Sequence, residues 1–265
     1  MTSTETIIEI KNLSTEFGNT QVHKDINLSI KRGEVIAIVG GSGCGKTTLL
    51  REMLGLTQPT SGSIKIFDQD ILLASPEILL KIQRRFGVLF QENALFSSLN
   101  LLENVAFPLH EHTRLDKNMI QELALLKILM AGLPSSAAVK YPAMLSGGMQ
   151  KRAGLARAIV LDPELIFLDE PTAGLDPNTA SGLDELVLNL QATMGLTIVI
   201  ITHDLDTLWT VTDRVAFIGE GVILDVAPLA ELVKNPHPLI KEFFSGSRGR
   251  TAEASHSKGK DKHGN

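Results

Sequence analysis

The residues from 40 to 48 have the types and the spacing of a loop that binds phosphate. They match the pattern G-x-x-x-x-G-K-[ST] between a β-branched strand at 35–39 and a helix-forming segment at 49–54. Glycines at 40, 43 and 45 permit left-handed backbone, which turns successive N–H groups inward, and the following helix directs its positive end to the same point. The loop therefore predicts an anion cradle, and its residues are Gly40, Gly41, Ser42, Gly43, Cys44, Gly45, Lys46, Thr47 and Thr48.

Two side chains of this loop indicate which anion it binds. Lys46 is expected to reach the β- and γ-phosphates, and the hydroxyl of Thr47 is expected to ligate Mg²⁺. The predicted ligand is a nucleoside triphosphate. A glycine-rich turn without a ligand is the alternative, but the agreement of strand, spacing and helix argues against it.

Paired carboxylates stand at the end of a second apolar strand. The run from Leu165 to Leu168 has no alternation, which is typical of a strand buried on both faces of a parallel sheet. The carboxyl ends of such strands face the ligand crevice, so Asp169 can hold Mg²⁺ through water and Glu170 can orient or deprotonate the attacking water. The alternative is a solvated turn after a core strand.

A third buried strand, at 197–202, ends at His203. There are two interpretations of this histidine. In the first it is a helix-capping or core residue, and in the second it contacts a γ-phosphate. Phe17 lies a little over twenty residues before the phosphate loop. Its ring is either a surface for stacking against adenine or a packing residue of a turn.

The remaining pattern describes the elements around these residues. Residues 6–38 predict an antiparallel β-layer, residues 61–68 a strand and turn, and residues 82–90 a further strand segment that ends at Gln91. The pattern is helical from about 92 to 154, where Ser146 is a predicted N-cap and Gly147 and Gly148 offer a second anion site. A helix to about residue 193, a short helix at 204–212 and a hairpin at 215–224 follow. The predicted fold is an α/β core of the P-loop NTPase type, RecA-like, with an antiparallel β-subdomain and an inserted helical subdomain.

Composition limits the class of protein. The 265 residues carry a formal net charge of -5, which argues against nucleic acid as a partner. The single cysteine excludes an internal disulfide, and we expect neither a signal peptide nor a membrane-spanning run of roughly 18 apolar residues. We predict an ATPase domain over 1–245, with a nucleotide-binding core at about 1–91 and 155–245 and a helical subdomain at about 92–154. The polar residues 246–265 are predicted to be a disordered tail, which either solubilises the chain or binds a partner.

The motifs in this order resemble the ATP-binding subunit of ABC transporters over nearly the whole chain. The segment 145–150 resembles the family's signature, Gln91 its Q-loop, Asp169 and Glu170 its Walker B motif, residues 174–176 its D-loop and His203 its switch histidine. The resemblance implies ATP with Mg²⁺ and a head-to-tail homodimer, in which the signature of one subunit closes on the γ-phosphate held by Lys46 of the other. It assigns catalysis to Glu170, His203 and Gln91, and Mg²⁺ to Thr47, Gln91 and Asp169. To the nucleotide it adds Phe17, Ser146, Gly147, Gly148, Gln150 and Asp176.

A narrower resemblance lies in the segment 90–113 and in Met149 of the signature, which are similar to ATPases that partner MCE-domain lipid transporters, as in Mla-type phospholipid systems. It implies a membrane permease docked near 94–109, an MCE-domain lipid-binding protein, a small STAS-type regulatory subunit, and a place on the cytoplasmic face of the bacterial inner membrane. The expected activity is ATP hydrolysis that powers phospholipid transport between bacterial membranes. Alternatives are the ATPase of a small-solute importer and an ATP-driven transmembrane switch without transport. His110 and His112 lack the further ligands that a metal site needs.

Overall fold

The computed structural model describes residues 5–245. They divide into two compact units, the first formed by residues 5–73 and 201–245 and the second by residues 74–200. The predicted tail at 246–265 lies outside the described residues. Among the residues described, no helix combines the length and the apolar character needed to cross a membrane.

The first unit contains an antiparallel sheet of four strands. In chain order these are β1 (Thr6–Phe17), β2 (Thr20–Lys31), β4 (Ser61–Ile66) and β5 (Gln69–Asp70), and their order in the sheet is β2-β1-β4-β5. Buried and exposed residues alternate along much of β2, as expected for a sheet with one face in the core. Strands β1 and β2 of this sheet form the antiparallel β-layer predicted within 6–38, β4 and β5 extend it, and residues 35–38 belong to another sheet.

The first unit also holds the strand that leads to the phosphate loop. Strand β3 (Val35–Val39) is wholly buried and pairs in parallel with β9 (Arg214–Gly219), which pairs antiparallel with β10 (Val222–Ala227) as predicted for the terminal hairpin. The helices of this unit are α1 (Lys46–Met53), α7 (Leu205–Val211), α8 (Leu229–Leu232) and α9 (Pro238–Ser245). Because β3 is fully buried, it fixes the position at which the loop begins.

The second unit packs helices around three strands. The strands are β6 (Phe86–Leu89), β7 (Leu165–Asp169) and β8 (Thr197–Ile201), in the order β8-β7-β6, with β6 and β7 parallel. The helices are α2 (Pro76–Gln83), α3 (Leu101–His112), α4 (Lys117–Met130), α5 (Gly147–Ala158) and α6 (Pro177–Met194). The segment predicted as a strand over 82–90 is therefore shorter than expected. Its first residues belong to α2, which the side chain of Ser75 caps by accepting a hydrogen bond from Ile78 N.

Helix α5 is seated closely on strand β6. A Cβ atom at Gly87 would lie 2.0 Å from the carbonyl oxygen of Ala158, and one at Gly154 would lie 2.5 Å from Leu89 Cδ1. Real Cβ atoms do not approach other atoms so closely. Gly87 would meet fixed backbone, so that position requires glycine, whereas at Gly154 the end of the Leu89 side chain would have to shift. The absence of a side chain at Gly87 lets the backbone of α5 lie directly against the strand at that point, and the absence of one at Gly154 leaves room for Leu89.

Candidate functional site

The phosphate loop adopts the glycine conformations that its sequence predicts. Gly40, Gly43 and Gly45 have φ angles of 153°, 75° and 101°, all on the positive side that L side chains rarely adopt. Gly40 is also enclosed, since a Cβ atom there would lie 2.2 Å from the carbonyl oxygen of Ile218 and 2.8 Å from Cys44 Sγ. Gly45 is the N-cap of α1, and no side chain caps this helix. The free N–H groups at the start of α1 are therefore available to an anion, as the motif requires.

Lys46 spans the loop. Its ammonium group donates hydrogen bonds to the carbonyl oxygens of Gly40 at 2.9 Å and Gly41 at 2.8 Å, and lies 3.6 Å from Cys44 Sγ. The donor set fits a phosphate chain, because backbone N–H groups and one lysine converge on a single loop. The side chains of Ser42 and Thr47 are exposed, while those of Cys44 and Thr48 are half-buried.

Two further predicted residues lie in the first unit. Phe17 is the last residue of β1, and 52% of its surface is exposed, so its ring is not buried in the core. His203 is exposed and directly precedes Asp204, which caps α7. The histidine is thus not itself the helix cap, although one of its two interpretations placed it there.

The second unit positions Glu170 with unusual backbone. Asp169 is buried at the end of β7, and Glu170 follows with a φ of 47°, in the left-handed region that non-glycine residues seldom adopt. Such a conformation persists only where the surrounding structure enforces it. Part of that enforcement comes from Lys151 on α5, whose ammonium group donates a hydrogen bond to the Glu170 carbonyl oxygen at 3.1 Å.

Lys151 also holds Gln91, the residue predicted for the Q-loop. Its ammonium group donates a second hydrogen bond, at 2.6 Å, to the carbonyl oxygen of Gln91. Lys151 is buried, and loss of hydration lowers its pKa below the usual value, opposed by the negative charges of Asp169 and Glu170. One buried cation thereby connects Gln91 and Glu170, two of the three predicted catalytic residues.

A second cation of α5 holds the turn that follows Gln91. Asn93 and Ala94 have φ angles of 62° and 49°, and Arg157 donates to both of their carbonyl oxygens at 2.8 and 2.6 Å. Burial lowers the pKa of Arg157. Helix α5 thus fixes the backbone of the predicted Q-loop at two points, through Lys151 and Arg157.

The signature segment is built as the sequence predicts at its start. Ser146 is the N-cap of α5 and accepts a hydrogen bond from Met149 N at 3.3 Å. Ser146 and Gly147 are exposed, and Gly148 is half-buried against Thr179, where a Cβ atom would lie 2.4 Å from its Cγ2. The amide of Gln150 bonds to the segment before the helix, because it donates to the carbonyl oxygens of Pro142 and Leu145.

Asp176 caps α6 beside the signature. Its carboxylate accepts hydrogen bonds from the N–H of Thr179 at 3.1 Å and from the hydroxyl of Thr179 at 2.6 Å. These bonds lower the pKa of Asp176, with the Thr179 hydroxyl the larger cause. Thr179 therefore contacts both the predicted D-loop and the predicted signature.

Comparisons with known proteins agree with this geometry. The family model described as ABC transporter matches residues 23–173. The intermembrane phospholipid transport system ATP-binding protein MlaF of Haemophilus influenzae is 37% identical over 242 residues, which cover 91% of this chain and 91% of the relative. The chain belongs to the ABC transporter family.

Further relatives support the family at the level of sequence and fold. The probable ribonucleotide transport ATP-binding protein mkl of Mycobacterium leprae is 40% identical over 241 residues, or 91% of this chain and 69% of the relative. The dimeric structure of an ATP-binding cassette in a post-hydrolysis state bound to ADP and Pi matches with a TM-score of 0.77 and 32% identity, covering 84% of this chain and 98% of the other. CbiO1 of Clostridium perfringens matches with a TM-score of 0.79 and 31% identity, covering 96% and 99%.

This membership confirms the predicted fold and the predicted enzyme class, so the protein is an ABC-family ATPase with the cassette fold of P-loop NTPases. Sequence reasoning missed the two cations of α5 that support the site, Lys151 and Arg157. It also missed the buried polar residues behind the phosphate loop, among them His23 and Glu52. A signal for Glu52 was present, because a carboxylate among Leu49, Leu50 and Met53 on α1 requires a buried partner.

Proposed function

We propose that this ABC ATPase powers phospholipid transport between bacterial membranes. The observation that carries the proposal is the similarity to MlaF, which extends over 91% of both chains and includes the segment after Gln91 that the permease is expected to contact. The resemblance to Mla-type systems implies that this transport maintains the lipid asymmetry of the outer membrane.

A second candidate is the transport of a small soluble solute. It is favoured by the relatives named for ribonucleotide transport, which are 40% identical to this chain. The ATP chemistry would be the same in both cases, because the difference lies in the membrane partner and not in the cassette.

The proposed roles follow the motifs. Lys46 and the loop N–H groups bind the phosphates of ATP, with Phe17 stacked on the adenine. Glu170 is the general base for the attacking water, and His203 and Gln91 contact the reacting end of the nucleotide. Thr47, Asp169 and Gln91 are the oxygen donors for Mg²⁺, which fits a cation that prefers oxygen ligands. When bound, Mg²⁺ neutralises charge on the phosphates.

We further propose that the working unit is a homodimer whose signature segments complete the partner's nucleotide sites. The exposure of Ser146 and Gly147 at the start of α5 supports this, because backbone N–H groups at a helix start bind phosphate when they are accessible. A dimeric cassette is among the similar structures. Gln150 and Asp176 belong to this proposed interface because Gln150 bonds to the backbone that precedes the signature helix and Asp176 caps α6 beside it.

A permease is proposed to dock near residues 94–109. Phe96 and Phe107 are 44% and 39% exposed, and their ring centroids lie 4.9 Å apart. The backbone beneath them is rigid, because the buried side chain of Asn104 bonds to the N–H and the carbonyl oxygen of Phe96 and to the carbonyl oxygens of Leu99 and Asn100. An exposed aromatic pair on a fixed turn suits a helix end of an apolar partner.

The proposed assembly also contains an MCE-domain lipid-binding protein and a small STAS-type regulatory subunit, and it lies on the cytoplasmic face of the inner membrane. Helix α4 presents Met119, Leu126 and Leu129, each 46–49% exposed, as an apolar surface that suits a protein partner. No nucleic acid is expected, given the net charge of -5.

Affinity purification of the chain from its native membrane, followed by mass spectrometry of proteins and extracted lipids, tests the proposal. A multispanning permease together with an MCE protein and phospholipid is the expected result. A permease with a soluble-solute binding protein would favour the second candidate. A membrane partner without a transport pathway would indicate an ATP-driven switch, and both results would reject phospholipid transport.

A further inference from the structure

Three polar side chains meet behind the phosphate loop, where none of the proposed catalytic steps uses them. His23 on β2 and Glu52 on α1 have no exposed surface, and Thr15 on β1 is 1% exposed. The cluster therefore joins two strands of the antiparallel sheet to the helix that follows the loop. Burial of a histidine and a carboxylate is costly, so it requires a compensating interaction.

His23 contacts the loop directly. Its Nε2 lies 3.1 Å from the carbonyl oxygen of Gly45, and a Cβ atom at Gly45 would lie 2.5 Å from the same nitrogen. A carbonyl oxygen only accepts hydrogen bonds, so Nε2 must carry the proton in this contact. The other bond to the Gly45 oxygen comes from Leu49 N at 2.9 Å, so both of its lone pairs are used.

The opposite side of the imidazole needs a second proton. Thr15 donates its hydroxyl to Glu52 Oε1 at 2.5 Å, and His23 Nδ1 lies 3.2 Å from Glu52 Oε2. Oε2 is buried and has no other hydrogen-bond partner. Nδ1 and Oε2 would face each other as two acceptors unless a proton lies between them. The geometry thus requires one shared proton, which fixes the ring and with it the donor at Nε2.

Because the peptide bond is planar, the contact of His23 with the Gly45 carbonyl oxygen also orients the N–H of Lys46. The bond between Gly45 and Lys46 is trans, as are all described peptide bonds, so its C=O and N–H point in opposite directions. His23 holds the C=O from behind the loop, and the N–H of Lys46 therefore points away from the sheet. That N–H is one of the donors at the start of α1 that the loop offers to an anion.

We propose that His23 is a positioning residue for the phosphate loop, which orients the N–H of Lys46 through the carbonyl of Gly45, and that Glu52 and Thr15 hold His23 in place. The inference rests on the proposed nucleotide site. It predicts that the cluster sets ATP affinity separately from fold stability, whereas a cluster that only supports the fold would change both together.

Two variants of the full chain separate these possibilities. The triple variant Thr15→Val, His23→Leu, Glu52→Leu replaces the cluster with apolar groups of similar volume, which commonly leaves stability near its starting value. It removes the donor to Gly45, so the dissociation constant for ATP with Mg²⁺ should rise about tenfold, the scale of one hydrogen bond. The single variant His23→Gln keeps an N–H at the Nε2 position but removes the contact between Nδ1 and the buried carboxylate of Glu52. Its stability should therefore fall, while its ATP affinity stays within about twofold of the wild type.

Calorimetric titration with ATP and Mg²⁺ and urea unfolding give the two quantities. The amide proton resonance of Lys46, in isotopically labelled protein, should shift in the triple variant and remain near its wild-type position in His23→Gln. The inference is overturned if the triple variant binds ATP like the wild type, or if His23→Gln loses affinity in proportion to its stability. Failure of the wild type itself to bind ATP would instead reject the proposed nucleotide site.

Discussion

Replacement of Lys151 by methionine should slow ATP turnover more than it lowers stability. Methionine fills a similar volume but removes the ammonium group that bonds to the carbonyl oxygens of Gln91 at 2.6 Å and Glu170 at 3.1 Å. Each bond from a charged donor is worth about 1.5–3 kcal/mol, while the lowered pKa of Lys151 shows that its burial carries an opposing hydration cost. We expect a net loss of about 1–3 kcal/mol in the free energy of unfolding.

The effect on turnover arises at Glu170. The left-handed backbone of Glu170, with a φ of 47°, is held in part by the hydrogen bond from Lys151. Loss of this bond lets the backbone relax, so that the carboxylate moves from the position required of a general base. General-base catalysis contributes about 10²–10⁴-fold, so a partly misplaced base should reduce kcat by about tenfold to a hundredfold. The KM for ATP should change little, because the phosphate loop is untouched.

The assay is ATP turnover by the assembled transporter, paired with urea unfolding of the purified chain. Lys127→Met is the matched control, because Lys127 is also a buried lysine of the second unit, but its ammonium group pairs with Asp162. It should lose stability and keep its turnover. Lys151→Arg should recover part of the lost rate, since arginine keeps the charge and the donors. Wild-type kcat in folded Lys151→Met would refute the reasoning, and so would an equal loss in Lys127→Met.

Three further predictions concern the proposed nucleotide site. Glu170→Gln should retain ATP binding and reduce turnover by about 10²-fold or more, and near-normal turnover would remove the residue from its role as general base. A thiol reagent should inactivate the enzyme through Cys44, which is half-buried in the loop, and ATP should protect it; indifference to the reagent would show that the thiol is inaccessible. Because hydrogen bonds from Thr179 lower the pKa of Asp176, the capping stabilisation of α6 is fully present above the unfolded value near 3.8 and is lost as the pH falls through the lower folded value. The protection factor of the amides in the first turn of α6 compares each exchange rate with the intrinsic rate at the same pH. It should fall over that acid range in the wild type and stay constant in Asp176→Asn, whose amide also caps but does not titrate.

The parts of this protein that were predictable from sequence are those whose signals are local. The phosphate loop is contiguous, so residue types and spacing alone indicate its glycine conformations. The cap at Ser146 is equally local, as are the uninterrupted apolar runs of β3, β7 and β8. The fold class followed from these elements and from the family resemblance.

The parts that were not predictable depend on contacts between distant residues. Lys151 and Gln91 are 60 positions apart, Arg157 and Asn93 are 64 apart, and Glu52 and Thr15 are 37 apart. No spacing rule pairs such residues in a single sequence. The excess length of the strand predicted over 82–90 has a different cause. Ile82 belongs to α2, and the three polar residues between it and β6 include no glycine or proline that would mark the boundary.

The close seating of α5 on β6 has a mechanical consequence. Helix α5 begins beside Ser146 and ends at Ala158, a length of about 18 Å at 1.5 Å per residue, and Gly87 leaves no side chain between the end of the helix and the strand. Lys151 and Arg157 tie the same helix to the turn after β6. A displacement of that turn would therefore move α5 as a rigid body. The segment predicted as the signature, at the N-terminal end of the helix, would move with it by nearly the same distance.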